Sequence, residues 1–326
     1  MENRLNLKTI KYLIVIIILM SCKDCRVLKD STQQMKDSYT LANKHLTATI
    51  KTKGAELASL KTETLEYIWQ ANPKVWPRHS PILFPIVGRL VDHEFTYNGE
   101  TYKMKQHGFA RDFDFKVIKH SSSSITFEQT STKVSKTIYP FDFILQVTYT
   151  LIDNSLTIKY DVKNPSDTKN LYFSIVAHPA FNCPLEPNQK RNEYQLVFDK
   201  ELSPKAHLNS NGLYEDDTVS VFNEKGVMEL PDTIFDKNSL TFNPNPFSKV
   251  TLVHKPTKKK YVRVSFNNFP YLGIWSTDNK SKFVCIEPWY GIADRKDHNK
   301  DITQKEGIIK LEPNKNFECS FSIDVL

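Results

Sequence analysis

Phe141-Asp-Phe-Ile-Leu-Gln-Val-Thr-Tyr-Thr-Leu-Ile-Asp-Asn-Ser-Leu-Thr-Ile-Lys-Tyr-Asp-Val162 alternates apolar and polar residues on both sides of a turn. Phe141, Phe143, Leu145, Val147, Tyr149 and Leu151 share one parity on the way out; Leu156, Ile158, Tyr160 and Val162 share one on the way back. Successive side chains of a strand point to opposite faces, so this spacing predicts two long antiparallel strands joined at Asp153-Asn154-Ser155, with one face buried. Phe317, Cys319, Phe321 and Ile323 repeat the period. Phe95-x-Tyr97 and Tyr102-x-Met104 flank Asn98-Gly99, a dipeptide suited to a tight hairpin. No stretch shows a helical period beyond a short turn. The expectation is an all-β chain of two large packed sheets with few short helices.

At 326 residues the chain could hold one large all-β domain or two ordinary ones. No composition break divides residues 39–326, which read as a single domain. Within it, Asn188 to Leu230 is polar and irregular and reads as excursions between strands. The net charge of +7 is spread along the chain. Lys258–Lys260 is its dense basic run and reads as a solvated hairpin. With no nucleic-acid motif beside it, a nucleic-acid partner is not expected.

The N-terminus has a different character. Arg4, Lys8 and Lys11 precede an apolar run, Tyr12 to Met20, too short for an ordinary membrane span. The run ends Leu19-Met20-Ser21-Cys22, which looks like a lipoprotein lipobox with Cys22 as the lipidated residue. Residues 1–21 then read as a signal peptide and 22–38 as a polar tether. A simple secretory signal or an uncleaved anchor are the alternatives. The lipoprotein reading implies export and lipid anchoring to a bacterial membrane, on the periplasmic or cell-surface side. Cys25, Cys183, Cys285 and Cys319 show no metal-ligand spacing. Export would permit a disulfide between Cys183 and Cys285; buried free thiols are the favoured reading.

Two segments carry titratable residues in the same setting. Lys282-Phe-Val-Cys-Ile-Glu287-Pro-Trp-Tyr-Gly reads as a buried strand, Phe283 to Ile286, running into a carboxylate and a turn. Leu171-Tyr-Phe-Ser-Ile-Val-Ala-His178-Pro-Ala-Phe-Asn delivers a histidine in the same way. A strand-end Glu or a lone His is more often structural; two strands each ending in a proton-active group before a proline are harder to dismiss. Partial burial would lift the carboxylate toward the range of a working base. Gln106-His107-Gly-Phe-Ala-Arg111-Asp and Pro81-Ile-Leu-Phe-Pro-Ile-Val-Gly-Arg89-Leu add two polar clusters beside glycines.

These four segments, in this order from about Thr40 onward, resemble the aldose 1-epimerase (galactose mutarotase-like) family. The resemblance implies a β-supersandwich, a sugar substrate and isomerase chemistry with no cofactor and no metal. Glu287 would be the base at the C1 hydroxyl and His178 the acid at the ring oxygen. His107 and Arg89 would bind sugar hydroxyls, although Gly88 stands where many relatives have Asn. Asp236 is the match for a hydroxyl-clamping carboxylate, with a plain turn residue as the equal alternative. Trp289 and Trp275 would offer stacking faces, core packing being favoured for Trp275. Arg78 and Arg111 would recognise an anionic group such as a phosphate, a loop-anchoring ion pair being the favoured reading and export also arguing against a phosphate. Whether the aldose is phosphorylated, and the oligomeric state, stay open. Other classes compatible with the sequence are a non-catalytic, lipid-anchored carbohydrate-binding sandwich and a polysaccharide lyase or hydrolase. A hydrolase calls for two carboxylates rather than His and Glu.

Overall fold

The computed structural model describes residues 36–236, 239–278 and 281–326. The signal peptide, Cys22, Cys25 and nearly all of the tether lie outside these described residues. Residues Lys36–Leu326 form one compact unit.

Antiparallel strands dominate, with five short 3₁₀ turns among the described residues. The alternating pair lies at Ile144–Ile152 and Ser155–Lys163, in register from Ile152↔Ser155 to Ile144↔Lys163. It belongs to a nine-stranded sheet whose other members include Asn316–Val325 and Lys249–His254. A second, eight-stranded sheet contains Ile82–Leu83, Ile175–Ala177, Ala180–Asn182, Tyr271–Trp275 and Phe283–Tyr290. One continuous apolar core joins the two: Leu145, Val147, Ile158 and Ile323 from the first meet Ile175, Leu272, Val284 and Ile286 from the second. The Asn98-Gly99 hairpin forms as its turn chemistry dictates, between Glu94–Tyr97 and Glu100–Lys103. Lys258 sits in an exposed turn between two strands.

Two expectations need correction. Asn188–Leu230 is not simply irregular: it holds strands Tyr194–Phe198, Ala206–Ser210, Leu213–Val219 and Val227–Glu229. Tyr194, Leu196 and Phe198 do alternate inward, whereas Leu213–Val219 buries Tyr214 alone and gives little signal. The strand at Phe283 does not stop at Ile286 but continues to Tyr290, through Glu287 and Pro288. Proline is tolerated here because the ladder on one side is interrupted: Ile175–Ala177 pairs with the far end of this strand and Ala180–Asn182 with its near end. Glu287-Pro288 faces the gap, where a missing N–H removes no ladder bond on that side.

Candidate active site

The central strand sorts its side chains by parity. Val284 and Ile286 enter the core between the sheets, while Phe283, Cys285 and Trp289 belong to clusters on the other face. Glu287 shares that outer parity. It lines a pocket of about 630 Å³ with His178, His107, Arg111, Arg78, Trp76, Trp275 and Trp289, among others. That volume is ordinary for a small-molecule site, roughly 300–1,000 Å³.

Register explains how two residues distant in sequence meet. Val176 pairs with Trp289, and Ala180 with Cys285. Carried across the break at His178-Pro179, the same register sets His178 opposite Glu287. Their side chains touch: His178 Nε2 lies 3.4 Å from Glu287 Oε2. Both are buried, Glu287 at 1% exposure and His178 at 6%. Burial lifts the carboxyl to about 8, with the Trp289 hydrogen bond acting in the other direction. Burial, aided by the nearby Arg111 and Arg78 charges, lowers the imidazole to about 3. Between these values the pair holds one proton, and burial favours the uncharged arrangement with that proton on the carboxyl.

Neighbouring strands shape this floor. Gly273 is the cross-strand partner of Glu287 on the opposite side. A Cβ there would lie 2.3 Å from the Trp289 ring. The bare position lets the indole lie across the strand and donate from Nε1 to Glu287 Oε2 at 3.1 Å. Trp76 stacks on His178, and Trp275 meets it edge-on. Trp275 thus lines the pocket while packing on the buried Phe283 cluster, so the favoured core packing and the pocket position coexist.

His107 is fixed by a hook. Its φ is +69° and that of Gly108 is +70°. A Cβ on Gly108 would come within 2.3 Å of the Phe84 carbonyl, which accepts from Phe109 and Ala110 N–H. The His107 N–H donates to Gly88 O, and Gly88 N–H donates back to His107 Nδ1 at 3.1 Å. An accepting Nδ1 leaves the proton of a neutral ring on Nε2. Burial, reinforced by Arg111, His178 and Arg78, holds this ring well below the usual imidazole range, so it is neutral at pH 7. The Gln106 side-chain nitrogen lies 3.1 Å from Nε2; with Nε2 protonated, the Gln106 amide turns its oxygen to that nitrogen or yields it to a ligand.

Arg111 donates from Nη2 to Gln106 O, and its buried Nε has no partner. Burial and the charge of Arg78 pull it down to about 10, so it stays charged at neutral pH. Arg78 lines the pocket while pairing with Asp112 at 2.9 Å, so the loop-anchoring pair and the pocket position coexist. Glu56 holds this loop: one carboxyl oxygen accepts from the backbone N–H groups of His79 and Ser80. The Trp69 indole N–H donates to Trp76 O.

Arg89 is not among the lining residues. Its guanidinium donates to Asn211 O at 2.8 Å, and its N–H to Gly212 O. It therefore shapes the wall that Asn211 and Gly212 form. That wall is braced by Asp294, which accepts from Val91 N–H and from buried Lys305 at 2.8 Å. Asp236 lies exposed at the end of a turn and does not line the pocket. Sequence reading missed Trp76, Gln106, Asn209, Asn211 and Thr277, which do line it. Trp76 could have been flagged as an aromatic two residues before Arg78; the asparagines carried no signal. Cys183 and Cys285 are buried free thiols.

Fold and pocket define a two-sheet β protein with a buried His–Glu pair on the floor of a polar-rimmed cavity. The chain belongs to the aldose 1-epimerase family, whose sequence profile matches residues 37–308. It is 32% identical over 295 residues to the chromosomal Protein LacX of Lactococcus lactis subsp. lactis, covering 88% of this chain and 98% of that one. It is similar to a galactose mutarotase related enzyme from Lactobacillus acidophilus, with 35% identity, TM-score 0.82 and coverage of 89% and 97%. A galactose mutarotase-like protein from Lactobacillus casei gives 30% identity, TM-score 0.82 and coverage of 89% and 100%. Family membership supports an isomerase-type enzyme with a sugar substrate.

Proposed function

We propose that this protein is an aldose 1-epimerase that interconverts the α and β anomers of an aldohexose. The observation that carries this reading is the buried contact of His178 and Glu287 on the pocket floor. Anomer exchange needs one group to take the C1 hydroxyl proton and another to give a proton to the ring oxygen. Both oxygens are bonded to the same carbon, so groups in mutual contact can serve both. Glu287 as carboxylate takes the hydroxyl proton while C1=O forms and the bond from C1 to the ring oxygen breaks. The ring oxygen takes its proton from the His178 imidazolium. The pair gains and loses nothing overall: it starts as carboxylate and imidazolium and ends as carboxylic acid and imidazole. Rotation about C1–C2 and the reverse transfers close the ring on the other face.

Sugar binding prepares the ionic form. A C1 hydroxyl donating to Glu287, with Trp289 Nε1–H already in place, offsets the burial that keeps the proton on the carboxyl. His107 presents Nε2–H toward a sugar oxygen, and Trp289 and Trp275 offer ring faces. Arg78 and Arg111 are the candidates for an anionic substituent, favoured by the unpartnered Arg111 Nε. Arg89 contributes through the Asn211 wall. Asp236 does not line the pocket, and no hydroxyl clamp is assigned to it. Export and lipid anchoring through Cys22 complete the proposal; acyl labelling lost in a Cys22→Ala variant tests that part.

The test of the activity is polarimetric relaxation of freshly dissolved α-glucose, α-galactose and hexose 6-phosphates with the purified protein. The expected result is accelerated relaxation, abolished in Glu287→Gln with sugar binding retained. Sugar affinity without rate enhancement in the unaltered protein would overturn the enzyme reading in favour of a binding module. A rate advantage for phosphorylated hexoses that disappears in Arg111→Ala would assign the arginines to an anion.

A further inference from the structure

The parity that brings Glu287 to the pocket also brings Cys285, two residues earlier, to the same side of the sheet. Cys285 pairs across the strand with Ala180, one step along the ladder from His178. One donor atom each from His178, Cys285 and Glu287 lies within 4.8 Å of the other two, and all three residues are buried. The proton-shuttle reading gives Cys285 no task.

We propose that His178, Cys285 and Glu287 form a three-donor site for a thiophilic divalent cation such as Zn²⁺, whose binding excludes sugar turnover. Tetrahedral zinc holds N, O and S ligands at about 2.0–2.3 Å, which sets edges between ligand atoms of roughly 3.2–3.7 Å. The His178–Glu287 edge, 3.4 Å, already has that length. The thiol must close by on the order of 1 Å, a side-chain adjustment. His178 Nδ1 has no hydrogen-bond partner, so the ring is oriented by its packing on Trp76 and Trp275 and not by the outer hydrogen bond usual for a ligating histidine. Trp289 Nε1–H to Glu287 supplies an outer hydrogen bond of the sort that orients ligating carboxylates. His178 and Glu287 line the sugar pocket, while Cys285 lies behind them against Trp69 and Phe283, so a bound cation occupies the two groups that would face the sugar C1.

Charge also selects the ion. A divalent cation with one thiolate, one carboxylate and a neutral imidazole is uncharged overall. Burial favours such an assembly, and the Arg78 and Arg111 charges at the rim do not oppose it as they would a bare cation. Ligation releases the thiol proton and any carboxyl proton to solvent, with no change of oxidation state. Binding therefore strengthens as pH rises. Mg²⁺ and Ca²⁺ call for six or more oxygen ligands and are not matched by a nitrogen, a sulfur and one carboxylate.

The probe is Co²⁺ added to the full chain, with Zn²⁺ as competitor. The expected result is a thiolate-to-cobalt charge-transfer band in the near ultraviolet, erased by Zn²⁺ and accompanied by proton release. Zn²⁺ affinity should fall at least tenfold in Cys285→Ala, and in the nearly isosteric Cys285→Ser should the alanine variant fold poorly. Glucose and Zn²⁺ should compete for the pocket in a binding titration, and a chelator should restore sugar binding. No thiolate band, unchanged Zn²⁺ affinity in both cysteine variants, equal binding of Mg²⁺, or simultaneous binding of glucose and Zn²⁺ would each overturn the proposal. The band and the proton release do not depend on mutarotation, so their failure is distinguishable from failure of the proposed activity.

Discussion

Trp76 lies face to face with His178, ring centroids 5.0 Å apart and planes inclined by 27°. An indole face attracts a cation, so this stack favours the imidazolium that a general acid must become, against burial and two arginines. Trp76→Ala is expected to lower kcat about tenfold, the scale of a lost aromatic pair. Trp76→Phe should lose less. Relaxation rates across pH check this: both variants should lose more rate at neutral pH than in sugar binding. An unchanged kcat in Trp76→Ala would leave the stack with no part in turnover.

The pH dependence follows from the one-proton pair. Activity should persist between about 3 and about 8 and fall as pH rises through the upper value, where the shared proton is lost. Trp289→Phe removes a donor that favours the carboxylate. Glu287 should then rise further, moving the alkaline limit of activity up, readable in a pH–rate profile.

Stability should follow the same groups with opposite signs. An unfolded carboxyl titrates near about 4.3 and an unfolded imidazole near about 6.5. Folded Glu287, raised to about 8, binds more protons than the unfolded chain across its window, so its contribution weakens as pH rises toward that value. Folded His178, lowered to about 3, binds fewer, so its contribution is lost as pH falls below the unfolded imidazole value. Glu287→Gln should therefore flatten the alkaline decline of the melting temperature and leave the acid side in place. Calorimetric melts at a series of pH values decide it.

Glu56 is a stability prediction with a functional readout. Burial alone would raise its carboxyl, but the His79 ring 3.6 Å away and the His79 backbone N–H hold it lower than usual. Its contribution is present above the ordinary carboxylate value and lost as pH falls through the folded one. Glu56→Gln is expected to cost about 1–3 kcal/mol at neutral pH, as for hydrogen bonds to a charged acceptor. Because Glu56 anchors the loop that carries Trp76 and Arg78, KM should rise with little change in pH profile. Denaturant melts and saturation kinetics measure the two effects.

Gly273→Ala tests the floor. The added methyl overlaps the Trp289 ring, so the indole must leave Glu287. The expected loss is in kcat, with the alkaline limit shifted up as in Trp289→Phe. A variant with normal rate and profile would refute the dependence of Glu287 on this indole.

Much of this was legible in the chain because parity is a local signal. The alternation of Phe141–Val162 announced two paired strands, and the hairpin at Asn98-Gly99 announced itself through turn chemistry. His178 and Glu287 stood out because each follows an apolar run and precedes a proline. Their contact was not legible, since it depends on a register set by residues more than a hundred positions apart. Glu287 also looked like a turn residue because a proline follows it; only the broken ladder beside it lets the strand continue. Asn209, Asn211 and Thr277 gave no warning, being ordinary loop and strand-end residues until tertiary structure gathers them. Arg89 was noticed for the right segment but reaches the pocket through a backbone carbonyl, a role no residue type advertises.

The pocket draws on Glu56, Trp76, His107, His178, Asn211 and Glu287, spread over most of the described chain. No fragment shorter than Glu56–Glu287 contains them all. A growing polypeptide must stay inactive until its final quarter has docked into the sheet, so on refolding, regained turnover should coincide with the last long-range pairing. Turnover would then serve as a stringent reporter of a completed fold.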